Sequence, residues 1–508
     1  MLVAPALLVA AATLLPLLYL FLRAQGASGG FIGYLLRPQT AEVLGRTLLL
    51  VAGVSLASLL VALPIAYLTT RTRLPGRQLW FVLAVLPLVI PSYVGAYAYV
   101  SAFATGGLVR EWIGLTLPVY GYWGALLVMT LVSYPYLLLT LRAGLHGLDP
   151  KLEEASRSLG RSSWTTFMRV TLPLLRPAIA AGMLLVALYV LSDFGAVSML
   201  RYNTFTRAIY IQYENSFNRS NAAVLSTMLV SLTGALLLLD NWLRGRGRIG
   251  QGGVGASRKA VQRSLGVWTA PAILYMVTVV LLALIAPIGI IVAWLLRGIA
   301  AGQSFALDWS TVVNAAGVSA VSALTALLAA VPVALLAVRF PSRLSASVER
   351  LTYVGYALPG IVVALALVFF GVRFVPWAYQ SLAMLVFAYL LLFLPQAVGN
   401  LRASLLQLDP SLEEASRGLG RPPLYTLSRI TLPLLKSGLV TSAALVFLTT
   451  MKELPATLLL RPTGFDTLAT EVWSWTIEAF FAQAAPYALL LILVSSLSVG
   501  LLLWQDRR

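Results

Sequence analysis

Long apolar runs dominate the chain, near 2–22, 45–69, 79–104, 121–141, 172–197 and 222–243, then near 267–296, 312–338, 351–373, 376–400, 432–457 and 484–504. Each has about 20 residues or more, the length an α-helix needs to cross the ~30 Å hydrocarbon layer of a bilayer. In lipid every backbone N–H and C=O must find a partner inside the protein, which leaves helices or a closed barrel. These runs are too long and too continuously apolar for barrel strands. A polar, glycine-rich and basic stretch from Arg244 interrupts the series. The pattern predicts an all-α integral membrane protein with 12 transmembrane helices: a first module over 1–243, a cytoplasmic linker over 244–266 and a second module over 267–508. The first run opens Met1-Leu2-Val3-Ala4-Pro5 without a positive leader. It is read as a span and not as a cleaved signal.

The halves are copies. Leu148 to Leu175 and Leu408 to Leu435 agree without a gap at 19 of 28 positions, an offset of 260. The register carries on through Pro135 and Pro395, Asp193 and Glu453, and Arg201 and Arg461. Upstream the offset is 268, pairing Pro64 with Pro332 and Pro91 with Pro359. A shorter external loop in the second half accounts for the difference of eight. Six spans per copy is an even number, so both copies face the same way. They are expected to be related by a pseudo-two-fold axis along the membrane normal, with a natural pathway between them.

Composition sharpens this reading. Hydrophobic residues make up 59% and charged residues 11%, against roughly 45–50% and about 25% in soluble chains. There is no cysteine and only one histidine, His146. Thiol chemistry, thiolate metal sites and a serine–histidine triad therefore lack raw material, and His146 is read as a polar residue at a helix end. The net charge of +18 would point to nucleic acid in a soluble protein. Here the basic residues sit in short loops between apolar runs, which is the pattern of cytoplasmic membrane loops. Of 36 Lys and Arg, 25 fall on one side, among them Arg71, Arg73, Arg77, Arg142, Arg263, Arg339 and Arg402. That side is expected to be cytoplasmic, with both termini on it, and no nucleic-acid partner is expected.

The repeated loop is too structured to be a connector. Asp149 suits an N-cap and Pro150 the first helical position. Glu153 and Glu154 lie in the early turns, where the helix dipole favours negative charge. Leu152, Ala155, Ser156 and Leu159 share one face, and Gly160 is placed to stop the helix. A second short helix is expected after Ser162-Ser163, or after Pro422-Pro423 in the other copy. An amphipathic helix present twice suits docking into two copies of a partner. The alternative, a helix lying on lipid headgroups, fits less well with a narrow apolar face and two acids.

These residues carry a resemblance. Glu154-Ala155-Ser156, Gly160 and Val170-Thr171-Leu172-Pro173, and again Glu414-Ala415-Ser416, Gly420 and Ile430-Thr431-Leu432-Pro433, look like the "EAA" loop of permease subunits in bacterial ABC importers. Serine stands where that motif has its second alanine, in both copies. The resemblance covers nearly the whole chain. It implies that Glu153, Glu154, Ala155, Ser156 and Gly160, with Glu413, Glu414, Ala415, Ser416 and Gly420, form coupling loops that seat in two ATP-binding subunits. It also implies a periplasmic solute-binding protein as a partner, the inner membrane as the location, membrane lipid as the surroundings, and no cofactor in this chain. The fused layout, and the stretches Ser192 to Arg201 and Met451 to Asp466, resemble the ferric-iron permeases. Thiamine permeases share the layout, which leaves thiamine or another small solute as alternatives.

Asp193, Lys452 and Glu453 lie at the ends of apolar runs, where ionisable groups are costly and usually face a cavity or a partner charge. With Arg201 and Arg461 they form the expected pathway set. Either Asp193 and Glu453 line the pathway and briefly meet a hard cation such as Fe³⁺, or they pair with Arg201, Lys452 and Arg461. Pro64, Pro87, Pro91, Pro135, Pro332, Pro359 and Pro395 recur inside spans. They permit kinks suited to rocking of the halves, though proline is also simply common in transmembrane helices. No G-x-x-x-x-G-K-[ST] element is present, so ATP would have to be used by another subunit. An ion-coupled secondary transporter would need acids or unwound helices at mid-membrane, and a membrane enzyme would need catalytic groups this composition lacks.

Overall fold

The computed structural model describes residues 2–26, 30–104, 106–114, 118–215, 219–245, 262–305 and 308–505. Most of the predicted linker 244–266, and Arg507 and Arg508, lie outside the described residues. The first half contains α1 (Val3–Ala24), α2 (Pro38–Arg71), α3 (Arg77–Val85), α4 (Ser92–Phe103), α5 (Tyr122–Gly147), α6 (Pro150–Ser158), α7 (Arg176–Ser192), α8 (Gly195–Met199) and α9 (Ser220–Gly245). The second contains α10 (Thr269–Val280), α11 (Ala286–Ala300), α12 (Trp309–Arg339), α13 (Gly360–Phe374), α14 (Leu382–Leu406), α15 (Ser411–Gly418), α16 (Lys436–Met451), α17 (Pro455–Leu460) and α18 (Phe481–Gln505). Among the described residues seven helices are long and apolar enough to cross a membrane, and up to eleven spans result if four bent pairs each count as one. The apolar α18 adds a further candidate.

The breaks fall where the residues require them. Pro91 and Pro359, repeat mates, have extended backbone at the N-termini of α4 and α13, because proline offers no N–H to continue the preceding helix. Pro64, Pro135, Pro332 and Pro395 are instead carried inside helices. Ahead of Leu172-Pro173 and Leu432-Pro433 the ladder widens into π turns over Phe167–Thr171 and Leu427–Thr431, which accommodates the donor that the following proline lacks. The chain then bends by 64° into α7 and by 70° into α16.

The helices gather into two compact units that are not the two sequence halves. The first unit comprises Pro38–Ala208, Ser231–Phe305 and Trp475–Arg508; the second comprises Met1–Arg37, Ile209–Val230 and Ala306–Ser474. The opening helix of each half thus leaves its own copy. In the second unit α1 packs on α12 and α13. Its Thr13 hydroxyl donates to Leu351 O at 3.2 Å and its Tyr19 hydroxyl to Phe369 O at 3.3 Å. In the first unit α11 packs on α4 and α18, while α10 packs on α3 and α2. A π turn over Leu281–Ile285 joins α10 to α11, and the Tyr99 hydroxyl takes up the carbonyl of Leu282 there. Tyr97 donates to Phe481 O at 2.6 Å, Tyr134 to Ala84 O at 2.7 Å and Tyr275 to Val61 O at 2.9 Å. With no hydrophobic drive between helices in lipid, such hydroxyl-to-backbone bonds and close packing hold neighbours together.

Close packing is conserved between the copies by exchange. Between α5 and α7, Gly144 lies against Ala178, and a Cβ on Gly144 would meet Ala178 Cβ at 2.7 Å. The mates, between α14 and α16, are Ser404 and Gly438, and a Cβ on Gly438 would collide with Ser404 Oγ. Each crossing needs one glycine, and the copies carry it on opposite helices. Gly144→Ser alone should therefore destabilise the protein by about 1–3 kcal/mol, as overpacking does. The pair Gly144→Ser with Ala178→Gly, which copies the second half, should recover most of the loss. Thermal unfolding in detergent reads both, and an uncompensated double variant contradicts the exchange.

Candidate functional site

The loop after α5 begins at Asp149, whose carboxylate accepts from Lys151 N at 3.0 Å and caps α6. Its mate Asp409 accepts from Ser411 N at 3.0 Å, and these Ser411 donors hold the Asp409 carboxyl below its usual range. Gly160 and Gly420 end α6 and α15 at φ +78° and +74°. They occupy the left-handed conformation that closes a helix and that a Cβ disfavours. Gly160 N donates to Arg157 O and Arg161 N to Ser156 O, and the same two bonds recur at Gly420 and Arg421. A second turn follows, Ser163–Thr166 capped by Ser162 in one copy and Pro423–Thr426 in the other.

The structure splits the expected apolar face of α6. Ser156 turns inward and bonds Thr166 at 3.0 Å; Ser416 bonds Thr426 at 2.8 Å. This cross-brace holds the two short helices together and gives a reason for serine where the resemblance leads one to expect alanine. Leu152 and Leu412 stay half exposed, at 49% and 48%, and Leu159 and Leu419 reach 80% and 81%. Ala155, Ala415, Glu154 and Glu414 are exposed beside them. The inner edge of each helix is polar and the outer edge apolar, the reverse of a helix resting on its own core.

Glu153 and Glu413 do different work from their neighbours. Glu153 accepts from the Thr171 hydroxyl at 3.0 Å and faces Arg71 Nε at 3.5 Å. Arg71 Nη2 also donates to Leu145 O at 2.9 Å. In the other copy Glu413 accepts from Thr431 at 3.1 Å and pairs with Arg339 Nε at 3.2 Å, while Arg339 Nη2 donates to Leu408 O at 3.3 Å. Arg71 and Arg339 are the last residues of α2 and α12. Each clasp thus ties the start of a loop helix to the end of a long span. The sequence treats these arginines only as loop charges, yet both side chains are nearly buried. Their offset of 268, that of Pro64 and Pro332, is the signal that marks them as mates.

The printed contacts of Asp193 and Glu453 are to backbone N–H groups and a hydroxyl, and Arg201 and Arg461 meet Tyr120 and Asp466. Asp193 ends α7 and caps α8, accepting from Ala196 N at 3.0 Å and Val197 N at 3.2 Å, and Ser92 donates to its other oxygen. Glu453 ends α16 and caps α17, accepting from Ala456 N at 3.0 Å. Arg201 lies over the Tyr120 ring at 4.7 Å, with φ +55°. Arg461 pairs with Asp466. Lys452 follows α16 beside Glu453. The mate of Ser92 is Gly360, where a Cβ would meet Glu453 Oε1 at 2.6 Å. A serine with an aspartate in one copy becomes a glycine with the longer glutamate in the other, so each carboxylate reaches the same capping position. Among the described residues no three His, Cys, Asp or Glu side chains converge as a metal site.

Two apolar-edged loop helices, each fastened to a long span, recur in an all-helical chain rich in apolar spans, the architecture of a membrane transport subunit. The chain belongs to the binding-protein-dependent transport system inner membrane component family, whose model matches residues 55–246 and again 322–508. It is 37% identical over 492 residues to the Fe(3+)-transport system permease protein FbpB 2 of Haemophilus influenzae, covering 96% of this chain and 95% of that protein. It is 32% identical over 212 residues to the molybdenum transport system permease protein ModB of Escherichia coli, covering 39% of this chain and 92% of that one. To the sulfate transport system permease protein CysT of Escherichia coli it is 30% identical over 242 residues, 46% of this chain and 87% of that one. These relatives are transport permeases, not enzymes, and this chain is likewise a multi-pass inner-membrane permease that works with ATP-binding and solute-binding partners.

Two outcomes test the geometry. Arg339→Gln leaves Glu413 with only the longer, half-exposed contact to Arg417 at 3.8 Å and the Thr431 hydroxyl, and breaking a buried pair costs on the order of 3 kcal/mol. Trypsin should then cut after Arg417 faster in the variant, and an unchanged rate would mean the clasp does not hold the loop. Gly360→Ser should lower thermal stability in detergent, and adding Glu453→Asp should restore it; failure of the rescue would remove the capping equivalence.

Proposed function

We propose that this chain is the permease subunit of an ATP-driven importer that carries ferric iron, delivered by a periplasmic binding protein, across the inner membrane. The observation that carries the reading is the end-to-end match to the Fe(3+)-transport permease; the molybdenum and sulfate permeases match at less than half of this chain. In this reading the four bent pairs and α18 complete twelve spans as two parallel repeats about a pseudo-two-fold axis along the membrane normal. The loops with Arg157, Arg161, Arg417 and Arg421 are cytoplasmic, as are both termini. Two copies of an ATP-binding subunit, which hydrolyse the nucleotide, dock on the exposed edges formed by Leu152, Ala155 and Leu159 and by Leu412, Ala415 and Leu419. Glu154 and Glu414 face those subunits, and Glu153 and Glu413 hold the loops. Asp193 and Glu453 shape the helix breaks along the pathway through their caps. Arg201, Lys452 and Arg461 set its charge near the outer mouth. A pathway should bind its cargo weakly, since a deep well would stop release.

The experiment uses paired Gly160→Val and Gly420→Val substitutions. Both sites are open in space, so the cost is confined to the left-handed turn that ends each coupling helix. Membrane insertion should be unchanged while ATP-driven ferric iron uptake into proteoliposomes holding the complete importer falls to background. Normal uptake by the paired variant would sink the docking assignment. Uptake of another solute but not of iron by the unaltered importer would correct the cargo alone.

A further inference from the structure

Where the chain emerges from the stretch joining its halves, it does not run straight into α10. Arg263 N donates to Arg71 O at 3.0 Å, and Arg73 N donates to Arg263 O at 2.7 Å, a parallel bridge opposite Thr72. The Arg263 guanidinium reaches on to the hydroxyl of Ser163, the first residue of the second turn of the first coupling loop. Arg71 therefore sits at a crossing. Its side chain holds Glu153 and Leu145, and its carbonyl holds the returning strand. The first coupling loop is gripped at both of its short helices, at Glu153 by Arg71 and at Ser163 by Arg263.

The second copy cannot receive the same grip. The mate of Arg73 is Pro341, which has no N–H to donate. The mate of Ser163 is Pro423, which has no hydroxyl to accept. The clasps of Arg71 and Arg339 are shared. Among the positions at which the copies differ are the two whose polar groups the strap uses.

We propose that Arg263 is a positioning residue for transport, acting through the first coupling loop, and that it makes the two ATP-subunit docking sites unequal. The strap rests on the permease reading only for its consequence; its geometry stands apart from it. The returning segment at Arg263 is then part of the first docking site, and the stroke delivered there moves α2, α6 and the second turn as one body. At the second site the stroke passes through the clasp of Arg339 alone.

The cysteine-free chain allows a clean geometric test. Thr72→Cys with Arg263→Cys places two thiols on a bridged pair of residues, within the Cα separation of about 4.4–6.8 Å that disulfides need. After copper–phenanthroline treatment, a protease site inserted between 246 and 261 should release no separate halves until a reductant is added. Release of the halves without reductant overturns the strap. The functional test uses Arg263→Ala, Arg263→Lys and Ser163→Pro in proteoliposomes with the complete importer, reading ferric iron taken up per ATP hydrolysed. Ser163→Pro copies the second repeat and places proline at the first helical position, where it is tolerated, so it keeps the fold. Arg263→Ala and Ser163→Pro should lower the ratio about fivefold or more, the scale of a modest coupling energy, and Arg263→Lys should restore most of it. A disulfide with unchanged ratios would leave Arg263 a structural staple and overturn the positioning role. If the unaltered importer moves no ferric iron, the cargo reading fails, and the same variants are then judged on binding-protein-stimulated ATP hydrolysis, where no change overturns the role.

Discussion

In the proposed importer each repeated loop must not yield, and one nearly buried carboxylate in each half holds it in place. Glu153 and Glu413 are held by an arginine at the end of a long span and by a threonine at the start of the next one. Three segments distant in sequence meet at a single side chain. A charged pair in such a place is weak evidence of added stability, because desolvation offsets much of the attraction. Its value lies in specificity of position: removing either partner leaves a nearly buried charge behind, so few other arrangements of the loop are tolerable. The exposed leucines around it then face outward by default, since the polar edge of the helix is the one pinned inward.

The same logic of fixed geometry runs through the spans. Lipid offers helices no hydrophobic reason to associate, so small residues and hydroxyl bonds set the neighbours. The two copies have kept each close approach while changing which residue makes it possible. Gly144 against Ala178 becomes Ser404 against Gly438, and Ser92 with Asp193 becomes Gly360 with Glu453. Such paired changes are what a constraint on backbone distance, and not on side-chain identity, leaves behind. They also explain why a carboxylate is kept at a costly depth: at both sites it caps a short helix whose first N–H groups would otherwise lack partners.

Much of this was legible in the residues. The apolar runs marked the helices, and the runs near 79–104, 172–197, 351–373 and 432–457 proved to be the bent ones. The turn at Gly160, the cap at Asp149 and the register of the repeat were readable because they depend on local chemistry. What could not be read was tertiary. Nothing in α1 itself announces that it packs on α12 and α13 in a unit with the second copy, since an apolar helix fits any apolar neighbour. The burial of Arg71 and Arg339 was hidden because a basic residue at a span end normally marks a solvated loop. The caps made by Asp193 and Glu453 were not legible for a related reason: the sequence shows nearby charges, whereas the backbone N–H groups that these carboxylates accept from become visible only in the folded chain.

A repeat that is nearly exact invites the assumption that its two halves do equal work. The loops are equal in the features that the proposed docking uses: the same exposed leucines, the same left-handed glycine, the same clasp. They differ, among other positions, at Arg73 and Pro341 and at Ser163 and Pro423. Covalent fusion supplies a reason. Once two copies share one chain, the joining stretch must leave one and enter the other, and a strand passing beside a coupling loop either disturbs it or becomes part of it. Arg263 takes the second course, using a carbonyl and an N–H left at the end of α2 and a hydroxyl on the loop. The prolines of the other copy are stiff where nothing comes to support them, with φ fixed in advance. One loop is braced by a neighbouring segment and the other relies on prolines in its own backbone, so the two loops are held by different physical means.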